Sequence, residues 1–449
     1  MKIIATFLLA LLALTAGVSR AASAAKPNII FILADDLGLD GVSSCGGDVH
    51  KTPNIDKLAA SGTRFETCYA APLCGPSRCL LMTGRYAFRT GGITNGSWRA
   101  DGPGAKSRDE QPMAKVLKQA GYATCESGKW RQVGESPWDW GFEQYCTDPT
   151  AGGWYWKDSH IRNGETVTGS HYNPDVIQKF SVDFIRKNAK GEKPFFLYYS
   201  MHLVHKPTLH TPDSPPQDGA MRYQDNIAYM DKQVGEIVAE IEKLGLREKT
   251  LIMFSGDNGT AAGYPSSFRG RMINGAKASM LEGGSRVPLI ASWPGVTPAG
   301  KVCNDIVSFA DMLPTFAELG GAKLSEGFKY DGRTFAPQLR GEKGTPREWA
   351  YVQLGGKWFV REQGLEDERE PRTFRHERRA LHREARGRGH RREPRRTDAA
   401  RRRARGAESR RRKNRRCGRK REGAEQGAEE EGREGGVTRG KSPQGIQAG

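Results

Sequence analysis

Cysteine is scarce in this chain: eight residues in 449, at Cys45, Cys68, Cys74, Cys79, Cys125, Cys146, Cys303 and Cys417. Such sparse spacing excludes a disulfide-stapled scaffold, although export would still allow some of them to pair. Long apolar runs are scarcer. One follows Lys2, over residues 3–14; it is short for a membrane span, and no second run follows. With the small-residue string Ala22-Ser23-Ala24 behind it, it reads as a secretory signal over residues 1–24, cleaved after Ala24. No cysteine stands just after that point, so a lipoprotein anchor has no attachment. The expected protein is exported, periplasmic or secreted, with no membrane partner. No internal repeat is evident either, which sets repeat arrays aside.

Aromatic residues nearly vanish after residue 360. Phe374 is the single one in residues 361–449, and the basic residues there are overwhelmingly Arg, as in Arg401-Arg402-Arg403 and Arg410-Arg411-Arg412. A segment of this kind cannot bury enough apolar surface to order itself. It holds 29 Lys and Arg against 16 Asp and Glu, so it carries +13 of the chain's net +18. The evenly spread basic charge of a nucleic-acid binder is therefore missing from the body, and nucleic acid is not an expected partner. The composition is either that of a GC-rich gene read out of frame or that of a basic arm for polyanions. Limited proteolysis should remove residues from about Arg361 while the body resists; a resistant fragment reaching the C-terminus would overturn this expectation.

What the chain does have is a set of apolar, β-rich runs that end abruptly in polar residues. Residues 28–33 run into Asp35-Asp36, residues 250–254 into Asp257-Asn258, residues 195–199 into His202 and His205, and residues 122–125 toward Lys129. Near-continuous apolar strands are what a parallel sheet covered on both faces requires. Polar residues at their carboxyl ends converge on one edge, the ligand crevice of open α/β sheets. Helical segments alternate with them: residues 52–60 with Thr52 as a capping residue and Pro53 in the first turn, 113–120 stopped by Gly121, about 224–244, and 305–319 closed by Gly320-Gly321. Residues 351–354 and 357–360 around Gly355-Gly356 read as a β-hairpin. The expected fold is α/β, a large mostly parallel or mixed sheet sandwiched by helices.

Two groups of residues carry chemistry. Asp35, Asp36, Asp257 and Asn258 offer only oxygen at two strand ends, the ligand set of Ca²⁺ or Mg²⁺, whereas Zn²⁺ would want His or Cys alongside. The stretch Cys74-Gly75-Pro76-Ser77-Arg78 puts a thiol just ahead of a proline that can open a helix. There the free N–H groups and the helix dipole favour an anion.

The string from Cys74 through Pro76, Ser77 and Arg78 to Thr83-Gly84-Arg85 resembles the signature of type I, arylsulfatase-like sulfatases of the alkaline phosphatase superfamily. In that family the cysteine is oxidised to Cα-formylglycine, the catalytic nucleophile. The resemblance covers roughly residues 26–360. Lys26-Pro27-Asn28-Ile29 through Asp35-Asp36-Leu37-Gly38 is similar to the family's first strand with its metal pair, and Gly256-Asp257-Asn258-Gly259 to its second metal motif. It implies a metal site of Asp35, Asp36, Asp257, Asn258 and the residue made from Cys74, occupied by Ca²⁺ or else Mg²⁺. Arg78 would hold the formylglycine and its metal environment. The segment from Gly275 to Pro288 implies a sulfate and leaving-oxygen contact for Lys277, Gly128-Lys129-Trp130 a sulfate contact for Lys129, and the stretch before Pro207 a catalytic role for His205, with His202 second. A formylglycine-generating enzyme would be the maturation partner.

Two departures from the pattern stand out. Where the family commonly has His after Gly128-Lys129-Trp130, this chain has Arg131, which stays protonated and cannot act as a base. The small C-terminal subdomain of antiparallel sheet and helix begins with the hairpin and is then lost. The domain reading is a catalytic domain over 25–345, a subdomain start over 346–360 and the Arg-rich tail over 361–449. The expected activity is hydrolysis of a sulfated small molecule or sulfated carbohydrate, with the alcohol protonated by His205 or Lys277. Phosphonate or phosphate monoester hydrolysis on the same scaffold, and a non-catalytic polyanion binder acting through its tail, are the alternatives. Five aromatics, Trp138, Trp140, Trp154, Tyr155 and Trp156, offer either sugar stacking or ordinary packing.

Overall fold

A computed structural model describes residues 26–98, 102–104, 106–130, 135–148, 155–215 and 221–363. The signal segment, Arg131, Trp154, Cys417 and the Arg-rich tail beyond residue 363 lie outside the described residues. Fourteen strands occur among them: β1 (Asn28–Ala34), β2 (Thr63–Tyr69), β3 (Ala123–Gly128), β4 (Gln144–Thr147), β5 (Trp156–Arg162), β6 (Glu165–Tyr172), β7 (Phe195–Ser200), β8 (Thr250–Gly256), β9 (Ser266–Phe268), β10 (Arg271–Ile273), β11 (Arg286–Ser292), β12 (Lys301–Ser308), β13 (Trp349–Leu354) and β14 (Lys357–Glu362). Ten form one sheet in the order β12-β2-β11-β8-β1-β7-β3-β4-β5-β6. Its centre is parallel, β8-β1-β7-β3-β4, with antiparallel neighbours at β11 and β5.

The central strand shows why the apolar runs are unbroken. Ile29, Phe31 and Leu33 enter the core on one face, while Ile30, Ile32 and Ala34 enter the core on the other. A strand buried on both sides has no polar face to alternate with. The first face is covered by helices α2 (Cys74–Thr83), α3 (Met113–Gln119) and α6 (Met312–Gly320); the second by α1 (Pro53–Ala60), α4 (Asn173–Asn188) and α5 (Met221–Lys243). On α5 the buried residues Ile227, Met230, Val234, Ile237 and Ile241 recur at helical spacing and face the sheet.

Two local expectations are corrected. Residues 305–308 are the end of β12, paired in parallel with β2 through Ile306↔Thr67, Val307↔Cys68 and Ser308↔Tyr69, and are not helical. The helical turn starts after Ser308, whose side chain accepts from Ala310 N while Asp311 caps the Ser308 N–H; that Ser-x-x-Asp capping box marks the true boundary. Thr52 makes no side-chain cap on α1. The first-turn N–H groups of Asn54 and Ile55 donate instead to Asp231 Oδ1 on α5, at 3.1 and 2.9 Å, so a distant carboxylate serves as the cap.

The hairpin β13–β14 forms as read, with Gly355 at φ +58° in the two-residue turn, where a side chain would be strained. Its inner residues Ala350, Val352 and Phe359 pack with Tyr69 and Ile306. Every described cysteine is a free thiol. Among the described residues no helix is long and apolar enough to cross a membrane.

Candidate active site

Strand order places the polar residues in a row along one sheet edge: Asp257 and Asn258 after β8, Asp35 and Asp36 after β1, His202 and His205 after β7, Lys129 after β3, Asp148 after β4. Cys74 is carried to this edge by the first turn of α2, with the Gly75 N–H donating to Asn95 Oδ1 at 2.7 Å. Its Sγ lies 3.2 Å from Asp35 Oδ1, 3.5 Å from Asp36 Oδ1 and 3.6 Å from Lys129 Nζ. Cys74, Asp35, Asp36 and Lys129 are all buried.

Asp36 takes φ +61°, an uncommon conformation for a residue with a side chain. The turn is held from the next strand, since the Asp36 N–H donates to Asp257 Oδ1 at 3.0 Å and Asn258 Nδ2 donates to Asp36 Oδ1 at 2.9 Å. Asn258 Nδ2 also lies 3.0 Å from Gly259 O. The amide nitrogen is thus committed, while Asn258 Oδ1 is buried with no hydrogen-bond partner. An orphaned buried amide oxygen beside three carboxylates fits a hard cation. One ligand atom each from Asp35, Asp36, Cys74 and His205 lies within 4.8 Å of the others. His205 thereby joins a cluster that the sequence had described by its oxygens.

Four basic side chains surround these carboxylates at different depths. Arg78 is fully buried; its Nε and Nη2 donate to Asp257 Oδ2 at 3.0 and 2.8 Å, and its Nη1 reaches Lys129 O at 2.9 Å, Tyr198 OH at 3.3 Å and Ser200 Oγ. Lys129 Nζ, equally buried, pairs with Asp35 Oδ2. Lys277 Nζ lies 2.5 Å from the Asp36 carboxylate, and His205 Nε2 lies 3.8 Å from Asp36 Oδ2. The side chains of Lys277 and His205 keep 16 % and 20 % exposure, so these two face the open side.

The electrostatics follow from crowding like charges in a dry place. Burial alone would raise Asp35, but Lys129, then His205 and Arg78, outweigh it and hold Asp35 well below the usual carboxylate range. Asp257 moves the other way: burial and the Asp35 charge push it up to about 6, and the Arg78 pair does not offset them. Burial followed by Asp257 and Asp35 pushes the Cys74 thiol well above its ordinary value. A thiol held protonated is a poor nucleophile. Burial lowers His205 to about 4. Burial also works against the Lys277 charge, but Cys74, Asp36 and Asp35 raise it.

The structure therefore brings Asp35, Asp36, Cys74, Arg78, Lys129, His205, Asp257, Asn258 and Lys277 to one place. His202 belongs elsewhere: its Nε2 pairs with Asp148 Oδ2, while Lys157 pairs with Oδ1 of the same carboxylate and His210 stacks on Trp156 at 4.9 Å. Of the aromatic group, Trp140 and Tyr155 are buried, and Trp138 and Trp156 are exposed. Residues the sequence reading passed over are Tyr198 and Ser200, which help hold the Arg78 guanidinium. Their signal was the period-two spacing within β7, which puts both on one face.

Comparison with known proteins agrees with the fold and with the family resemblance. The family model described as Sulfatase matches residues 27–322. Bovine arylsulfatase A (Bos taurus) is 32 % identical over 75 % of this chain and 71 % of its own length. N-acetylgalactosamine-6-sulfatase of the dog (Canis lupus familiaris) is 30 % identical over 75 % of this chain and 70 % of its own. Among solved structures, Ps i-CgsB superposes with a TM-score of 0.67 at 32 % identity, covering 75 % of this chain and 82 % of that one; it has also been solved in complex with k-i-k-neocarrahexaose. Sequence, fold and site converge, and the chain belongs to the sulfatase family, the type I sulfatases of the alkaline phosphatase superfamily, as a sulfuric ester hydrolase.

Proposed function

We propose that this exported enzyme hydrolyses the sulfate ester of a sulfated carbohydrate, or of a smaller sulfated alcohol, at Cys74. The observation that carries the reading is the buried Cys74 Sγ, 3.2 Å from Asp35 and 3.6 Å from Lys129, at the first turn of a helix. That a solved relative has been captured in complex with k-i-k-neocarrahexaose supports a carbohydrate.

Asp35, Asp36, Asp257 and Asn258 would hold Ca²⁺, with Mg²⁺ as a substitute, and a divalent cation there supplies neutralisation of the sulfate oxygens. Converted to formylglycine by a formylglycine-generating enzyme, Cys74 supplies an oxygen nucleophile that releases sulfate without a second attack by water. The chain's own groups do the rest. Asp35, Asp36 and Asp257 balance Arg78, Lys129 and Lys277 charge for charge, so a bound cation leaves a positive surplus that an anionic ester offsets. Arg78 fixes Asp257 and Lys129 fixes Asp35 from the dry side, which keeps both carboxylates in place as charge changes hands.

The alcohol must leave toward solvent, and His205 and Lys277 stand on that side. The Lys277 ammonium, raised by its neighbours, keeps its proton and stabilises the leaving oxygen. His205 gives the proton once substrate is bound: burial holds the imidazole down at about 4 in the empty site, and the negative charge of a sulfate ester beside it opposes that shift and draws the proton on. The test compares kcat/KM for 4-nitrophenyl sulfate and 4-nitrophenyl phosphate. Sulfate should be preferred by at least about tenfold; faster phosphate hydrolysis would transfer the assignment to phosphate monoesters.

A further inference from the structure

We infer that the hydroxyl of Tyr155 is a positioning group for His205, an inference that rests on the proton-donor role just given to that histidine. His205 lies in an irregular segment between β7 and α5. The first part of that segment is fixed by β1 and its extension: the Met201 N–H donates to Leu33 O at 2.9 Å, the Asp35 N–H to Leu203 O at 2.9 Å, and the Val204 N–H to Asp35 O at 2.8 Å. These bonds stop at Val204. At His205 the backbone is held by Tyr155, whose OH donates to His205 O at 2.7 Å and lies 3.4 Å from His202 O. The His205 N–H closes the turn on the same His202 carbonyl at 2.9 Å. One phenol therefore grips both ends of the turn that carries the imidazole.

The grip is firm because the tyrosine cannot move. Tyr155 is fully buried, its ring stacks on Tyr172 at 6.2 Å and 20°, and its own carbonyl accepts the Asn173 N–H at the start of α4. The His205 ring stands on the open side with 20 % exposure, 3.8 Å from Asp36 Oδ2. It is carried by this turn, so a displaced backbone displaces the ring, and a small misplacement of a reacting group is costly in rate.

Tyr155→Phe removes the hydroxyl and keeps the stacked ring. The readout is a pair of substrates that differ only in how much their leaving group needs a proton: phenyl sulfate, which needs it, and 4-nitrophenyl sulfate, which does not. With His205 mispositioned, kcat on phenyl sulfate should fall about tenfold while kcat on 4-nitrophenyl sulfate and both KM values stay within about twofold. A general loosening of the site would lower both substrates alike and overturn the inference, as would no change in either. His205→Ala should show the same selective loss, and Tyr155→Phe added to it should cost nothing further. If His205→Ala itself shows no selectivity between the substrates, the proton-donor reading fails; if it does and Tyr155→Phe does not, the positioning role fails. Should Tyr155→Phe not fold, 3-fluorotyrosine at position 155 retains the ring and alters the hydroxyl's bond strength. An unchanged ratio of the two rates would then overturn the inference.

Discussion

Cys74→Ala should reduce sulfate-ester hydrolysis to background, a loss of order 10⁴-fold or more, in a protein that still folds. The size of the loss follows from what the position contributes. In the proposed mechanism Cys74 supplies the nucleophile, while Arg78, Lys129 and Lys277 bind and polarise. Folding should survive because the thiol contributes little packing beyond a small apolar volume, and its neighbours are charged groups satisfied by one another. Cys74→Ser tests the chemistry more sharply: its hydroxyl fits, but a sulfated serine would need a second attack by water. A peptide map of active wild-type enzyme should show aldehyde at Cys74. Thiol alone at that peptide, with full activity, would sink the mechanism.

Removal of the metal should be nearly as damaging. Chelation should abolish turnover and Ca²⁺ should restore it; restoration by Zn²⁺ alone would assign the site to the Cys74 and His205 side of the cluster instead. The pH dependence has a definite sign. Asp257 is pushed up to about 6 by burial and by Asp35, and a cation must displace its proton. Apparent cation affinity should therefore be constant above about pH 6 and fall as the pH drops below it, by about tenfold per unit for one competing proton. In the metal-free protein the same group acts oppositely. Its raised value stabilises the fold below its ordinary value of 3.8, and that contribution is lost as pH rises through about 6. Calcium titrations and thermal melts with and without chelator, from pH 5 to 8, read both effects.

Much of this was legible because strand ends are marked twice, by the apolar run and by the polar residues that stop it. Asp35-Asp36 and Asp257-Asn258 fall where β1 and β8 leave the core, and parallel pairing of those strands puts them side by side. The helix at Cys74 was readable from its proline, and the hairpin from Gly355-Gly356. Illegible were the ties made across long sequence separations. Nothing local to Tyr155 says that its hydroxyl meets the His205 carbonyl, or that Asp231 will cap a helix that begins at Pro53. The choice between His202 and His205 was also tertiary: the two are three residues apart, and only the position of Asp148 after β4 draws one of them away. Residues 305–308 were misread because strand β12 passes straight into a capped turn, so one apolar stretch serves two elements.

The free thiols carry a practical consequence. Cys45, Cys68, Cys74, Cys79, Cys125 and Cys146 are buried and unbridged, and Cys303 is half-buried. Cross-linking contributes nothing to the described body, so its assembly does not wait for an oxidising compartment. Production in a reducing cytosol should yield the same fold, with Cys74 preserved as the thiol that the proposed maturation requires. An oxidising refolding step would instead expose these seven sulfurs, Cys74 among them, to mispairing, and should be avoided when the protein is prepared.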